Sequence, residues 1–266
     1  FAALPTAVAA GVGAAIDAAI QWEDAMAGVE KTTSEIGDAD AERKLAELND
    51  QLLELAKDKP IPPVEIAGVA EAAGALGVAQ EDVASFTDTV SDFAAVSNAT
   101  SEQAATDLAR IAGLTNTPAE GYDNLASSLI KAGIATAATE TDILSLTQRT
   151  AGSGAVAGFA AYGLVAVAAA ARPNGQGAEA GGTAINKTFS DITKAVNNGG
   201  EALATLAQTS GMSVEQFSAQ WRDSPAEAFA AFIAGTGQMI QSGQNVDEML
   251  ANLGICKGVI HRDVGT

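Results

Sequence analysis

Few residues in this 266-residue chain have types and spacing that could do chemistry. Its one thiol, Cys256, and its one imidazole, His261, lie five positions apart near the C-terminal end, so a nucleophile and a base are formally present. With one cysteine and one histidine in the chain, a Cys-His or Ser-His-Asp site built in the usual way is not expected. A buried small thiol and a surface imidazole account for both residues. The acidic pairs Glu23-Asp24 and Glu81-Asp82 have the right chemistry for a general acid and base, yet neither comes with a pocket or a partner that would shift one proton affinity away from the other. A single cysteine excludes an internal disulfide, and one cysteine with one histidine falls short of a zinc ligand set. The sequence therefore predicts no catalytic residues, no cofactor and no metal.

Composition says what the chain is built from instead. Hydrophobic residues make up 47% of it and aromatic residues only 5%, with Ala and Gly abundant, which favours closely packed helices over strands needing alternating Val, Ile and Tyr. The fold class expected is all-α. A formal charge of −19, with only 14 Lys and Arg in total, argues against specific binding of nucleic acid, because duplex recognition requires clustered cations that displace counterions.

Helix punctuation is dense. Ser or Thr followed three residues later by Glu, Gln or Asp marks a helix start, because side chain and backbone satisfy each other's orphan groups. The pattern stands at Thr100, Thr117, Thr139, Ser213 and Ser224, with a related one at Asn245, and Pro118 and Pro225 occupy first helical positions. Helix stops are read at Gly77, Gly113, Gly133 and Gly211, each followed by one apolar residue. The resulting map places helices at about 7–31, 41–57, 64–76, 81–97, 101–112, 118–132, 140–151, 155–171, 182–197, 200–209, 214–222, 225–241 and 246–253. These are many short helices joined by tight Gly/Pro turns, so the chain is no continuous rod. The corners at 77, 113, 133 and 211 are unevenly spaced, which speaks against a repeat array.

The stiff turn Lys59-Pro60-Ile61-Pro62-Pro63 is the best boundary in the sequence. It separates an N-terminal helical arm or hairpin, 1–59, from a compact helical domain, 60–254, with 255–266 as the start of a further segment. Opening on Phe1 and stopping at Thr266, the chain reads as a piece of something longer, and 1–16 lacks the basic flank of a signal peptide.

One stretch admits two readings. From Thr150 to Ala171 there are 22 residues without a charge, long enough to cross a bilayer. Its candidate residues for membrane insertion or close helix packing are Gly154, Gly158, Phe159, Tyr162 and Leu164, the two glycines forming a small-xxx-small pair. Alanine and glycine contribute little to insertion, so a helix buried among protein neighbours is the favoured reading. Trp22 and Trp221 read as core or interface anchors.

Several blocks resemble a known family. Trp22 to Thr33, WEDAMAGVEKTT, resembles the FE-x-AM-x-x-V opening of the core domain of phage tail tape measure proteins, with Trp in place of Phe. Residues 66–77, IAGVAEAAGALG, are similar to that family's ELA-x-x-AEAAGQLG stretch, and 178–189, AEAGGTAINKTF, to its AEAGGTAISRVF. Similar again are 98–114 and the closing block from Gly211, whose WRDSPAEAFAAFI is the most specific. The likeness covers about 20–254; 159–174 departs from it in being richer in alanine, and 256–266 follows the expected basic helix only loosely.

The resemblance implies a structural virion protein without enzymatic activity, lying inside the tail tube and tip. Its full length would set tail length, and it would leave during DNA ejection. It also implies oligomers along the tail axis, with tail-tip and tail-tube proteins as partners and the host membrane met on ejection. An acidic surface would repel phosphates and suit passage of DNA better than binding. The other reading is a membrane-active helical protein that opens a path through the host envelope with 150–171.

Overall fold

The computed structural model describes residues 6–34, 39–171 and 178–253, and all its regular structure there is helical. Contacts between Cα atoms divide the chain into two compact units, Phe1–Gly113 and Leu114–Thr266. The proline turn expected as a boundary lies inside the first of them.

In the first unit α1 (Thr6–Thr33) and α2 (Ala41–Asp58) pack against α3 (Pro63–Ala75), and α2 also meets α4 (Val83–Val96). A fifth helix, α5 (Ser101–Leu114), completes the set. Leu48 and Leu52 of α2, Ile66 and Val69 of α3 and Phe86, Val90 and Phe93 of α4 are buried, as are Leu108 and Ile111 of α5. Each helix thus buries one stripe, as amphipathic spacing requires. Small residues set the α1–α3 distance. A Cβ on Gly28 would stand 2.6 Å from the Glu71 carboxylate, and one on Gly74 would stand 2.6 Å from the Thr33 methyl. The proline turn is tied down by Lys59, whose ammonium pairs with Asp88 and, at 2.6 Å, with Asp92 on α4. Burial of Lys59 opposes its charge, but hydrogen bonds to both carboxylates outweigh that and raise its pKa above 10.5.

The second unit contains α6 (Tyr122–Ala135), α7 (Glu140–Val156), α8 (Ala161–Ala171), α9 (Ala178–Asn198), α10 (Gly200–Thr209), α11 (Val214–Asp223), α12 (Pro225–Gln241) and α13 (Asp247–Asn252). Here α7 is central, packing on α6, α8 and α9.

Most expected helix ends are where the sequence places them, and the exceptions have physical reasons. Gly77 and Gly211 do end helices, at φ +85° and +70°. The amides of Val78 and Met212 reach back to Ala73 O and Ala207 O at 3.0 and 2.9 Å. Gly113 and Gly133 do not; both sit within helices, and Asn116, at φ +51°, takes the left-handed corner after α5. Asn tolerates that region because its short amide can bond locally. Thr139 caps α7 by accepting from Asp142 N at 3.2 Å, and Ser213 and Gln216 form the reciprocal capping box of α11. Ser224 makes no such bond, and α12 begins instead on the pre-set φ of Pro225. Thr117-Pro118 opens a 3-10 turn, Ala119–Gly121, before α6 starts.

Candidate functional site

The uncharged stretch is not one helix. Its first part is the end of α7; Gly158 then takes φ +87°, and α8 begins at Ala161. Phe159 N donates to Gly154 O at 2.9 Å and Gly158 N to Ala155 O at 3.0 Å, closing α7 with the usual glycine stop. An 11-residue α8 reaches roughly 16 Å, about half a hydrocarbon core. Among the described residues, no helix is long and apolar enough to cross a membrane. The single helix expected at 155–171 is thereby corrected, and with it the glycine pair: Gly154 is helical and Gly158 is a corner, so they share no helix face.

Each of the five candidate residues has a definite place. Gly154 is buried against Leu164, whose Cδ2 would lie 2.3 Å from an added Cβ. Leu164 is fully buried, and Gly163 brings α8 to within 3.0 Å of Ala226 Cβ on α12 by the same measure. Phe159 is buried and stacks on Phe189 with ring centroids 4.3 Å apart. Tyr162, by contrast, is 66% exposed, and Val156 beside the corner is 84% exposed.

Around Phe159 the rings converge. Trp221 meets it edge-on at 5.8 Å and Phe229 at 6.4 Å, while Phe189 and Phe229 lie 5.4 Å apart and Phe217 stacks on Trp221 at 6.4 Å. Edge-to-face and offset geometry suits the ring quadrupoles, and each such pair adds about 0.5–1.5 kcal/mol to burial alone. The indole N–H of Trp221 donates to Thr193 Oγ1 at 3.3 Å, so its polar end is satisfied. In the first unit Trp22 does likewise, donating to Asn49 Oδ1 at 2.9 Å.

The glycines of AEAGG act on α7. An added Cβ on Gly182 would stand 3.3 Å from Arg149 Cβ, and one on Gly181 would stand 3.8 Å from Leu146. Next to them Asn186 Nδ2 donates to Arg149 O at 3.2 Å, and its Oδ1 accepts from Ser153 Oγ. Two of the blocks singled out from the sequence, 178–189 and the one from Gly211, therefore meet around α7 and the ring cluster. Their most distinctive residues pack helices together.

Among the described residues, no three His, Cys, Asp or Glu side chains that could hold a metal come together. Glu23, Asp24 and Glu81 are exposed, and Cys256 and His261 lie outside the described residues. Burial pushes the Asp107 carboxyl above its ordinary pKa of 3.8 against the pull of Arg110. At Glu215, its own backbone amide and Ser213 at the start of α11 hold the carboxyl below the ordinary value. Both are consequences of helix position.

What fold and packing define is an all-α protein whose distinctive residues hold helices to one another. The family model of phage-related minor tail proteins matches residues 49–253. The chain belongs to that family, and it is a structural protein of the phage tail. No curated protein and no solved structure matches it.

Proposed function

We propose that this chain is the core region of a tail tape measure protein. In this reading the full-length protein sets the length of the tail during assembly, lies in the tube lumen and tail tip, and is released when DNA is ejected. Its partners are further copies of itself along the tail axis, the tail-tip and tail-tube proteins, and the host membrane on ejection. Nucleic acid is not bound specifically, and no reaction is catalysed. One observation carries the reading: the tape-measure-like blocks at 178–189 and from Gly211 supply Gly182, Phe189, Phe217, Trp221 and Phe229, which build the ring cluster and the α7–α9 contact. A net charge of −19 fits a lumen through which a phosphate polymer must slide without adhering.

The test is made in the phage. In-frame shortening of the gene downstream of this region should shorten the tails seen by electron microscopy in proportion to the residues removed. Tails of unchanged length would overturn the reading. Labelled copies of the chain should be found along the tube axis before ejection and be lost from the particle afterwards.

A further inference from the structure

Helices of this chain begin at regular intervals although their sequences differ. Val83, Tyr122 and Ala161 open α4, α6 and α8, each 39 residues after the last, and Ser101 and Glu140 open α5 and α7 at the same interval. The turns repeat too. Asp82 N donates to Ala79 O, and Gly121 N to Pro118 O, both at 2.8 Å. Ala99 N donates to Ser97 Oγ, and Ala138 N to Thr136 Oγ1, both at 3.3 Å. Gln103 N donates to Thr100 Oγ1, and Asp142 N to Thr139 Oγ1, both at 3.2 Å. In every pair donor and acceptor are shifted by 39.

Burial follows the same register. On the second helix of each successive pair, Val83, Phe86, Thr87 and Val90 are buried; so are Tyr122, Leu125, Ala126 and Leu129, and again Ala161, Leu164, Val165 and Ala168. On the first helix the recurring buried sets are Ile66, Val69 and Ala73; Ala105, Leu108 and Ala112; and Leu144, Thr147 and Ala151. Seven registers are thus inward three times over, with different side chains each time. The first helix lengthens from 13 residues in α3 to 14 in α5 and 17 in α7, while the corner after it moves from Gly77 to Asn116 to Gly158. A shorter connection compensates, so the next helix still starts on time.

Packing inside each unit has the corresponding form. Next-but-one helices lie together: α1 on α3 and α2 on α4 in the first unit, α6 on α8 and α7 on α9 in the second. Helix pairs that touch mainly their neighbours behave in this way. The reading against a repeat took Gly113 and Gly133 as corners; the corners that recur are Gly77, Asn116 and Gly158.

We infer that residues 62–171 are three tandem copies of one two-helix module, 62–100, 101–139 and 140–171, with a period of 39 in helix starts, turn hydrogen bonds and burial. Whole modules can be removed or added without disturbing the helices that follow, so this part of the chain can change length in fixed steps. The division between the two compact units, at Gly113/Leu114, falls within the second module. Local geometry alone defines the modules, independently of the tape measure reading.

Three variants of the full chain test it by circular dichroism and thermal melting. The first removes Ser101 to Thr139, joining Thr100 to Glu140; the second duplicates the same 39 residues in place; the third removes only Tyr122 to Thr139, leaving two first helices in succession. At least one of the 39-residue variants should keep the wild-type helical signal per residue and a cooperative melt, while the third loses cooperativity. Loss of the cooperative melt in both 39-residue variants, or its retention in the third, would overturn the modular assignment.

Discussion

The two compact units close their cores in opposite ways. At the α1–α3 contact of the first, missing side chains do the work: Gly74 stands where a Cβ would meet Thr33 and the Thr32 backbone, and Gly28 leaves room for the flexible Glu71 carboxylate. In the second, rings fill the space. Phe159, Phe189, Trp221 and Phe229 come from the corner between α7 and α8, from α9, α11 and α12, and lock by shape. The physical lesson is an asymmetry of vulnerability. A contact made by close approach is damaged by added atoms, whereas a cluster of rings is damaged by their removal.

The largest effect should come from emptying the ring cluster. Phe189→Ala removes a fully buried side chain that touches two other rings, and a loss of about 3–5 kcal/mol is expected from the cavity and the lost transfer energy. Urea unfolding measures it, and hydrogen exchange should show the lost protection first in α9, α11 and α12. A loss below about 1 kcal/mol would mean that the rings are not what holds the second unit.

Glycine substitutions sharpen the other side of the comparison. Gly74→Ala places a methyl 2.6 Å from Thr33 and 3.1 Å from the Thr32 backbone, and should cost about 1–3 kcal/mol. On the same helix, Gly68→Ala meets nothing within 4 Å and should instead add about 0.5–1 kcal/mol, since alanine restricts the unfolded chain and favours the helix. Opposite signs from two glycines six residues apart would establish close approach; equal signs would dismiss it. The second unit uses the same device at Gly154, Gly163 and, most tightly, Gly235. An added Cβ on Gly235 would stand 1.7 Å from the Thr209 carbonyl oxygen, so Gly235→Ala should be the most costly of these glycine changes.

How much of this was legible follows from what each signal measures. Caps and prolines announced α5, α7, α11 and α12 within a few residues, because N-cap chemistry is local and carried by side-chain type. Glycine was ambiguous. At Gly77 and Gly211 it supplies a left-handed corner; at Gly133 it makes room for the Glu140 side chain, whose carboxylate an added Cβ would meet at 2.3 Å. Nothing in the residue type separates those two uses. In the 22-residue uncharged run the expected break at 152–154 falls instead at 157–160 for the same reason, since only the backbone of Gly158 reveals it. The ring cluster needed tertiary information, with Phe159 and Phe229 70 positions apart. The 39-residue period was hidden because equivalent positions share burial and not identity, as with Phe86, Leu125 and Leu164.

Electrostatics should matter less than packing in both units. In the first, the Lys59 side chain is only 12% exposed, and Lys59→Met should cost about 1 kcal/mol by releasing the proline turn from Asp88 and Asp92. Its folded pKa is raised above 10.5, so the contribution is complete below that pH and fades as pH climbs through the folded value. Thermal melts from pH 8 to 11 should show the wild type converging on the variant at the alkaline end. A gap that stays constant would assign the effect to lost packing of the lysine stem.

Asp107 gives the smallest effect, and one of reversed sign. Burial raises its carboxyl above 3.8 despite Arg110, so between that value and the folded pKa the native chain keeps a proton that the unfolded chain has released. Stability therefore falls as pH rises through this window, and above it the full penalty of a partly enclosed charge remains. Solvent at this half-buried site screens the penalty to a few tenths of a kcal/mol. Asp107→Asn should remove it, moving the urea midpoint up at pH 7 and leaving it unchanged at pH 3, where both side chains are neutral. Comparing the two proteins at each pH cancels the titration of the other carboxylates. A variant less stable than wild type at pH 7 would show instead that attraction to Arg110 outweighs burial at this position.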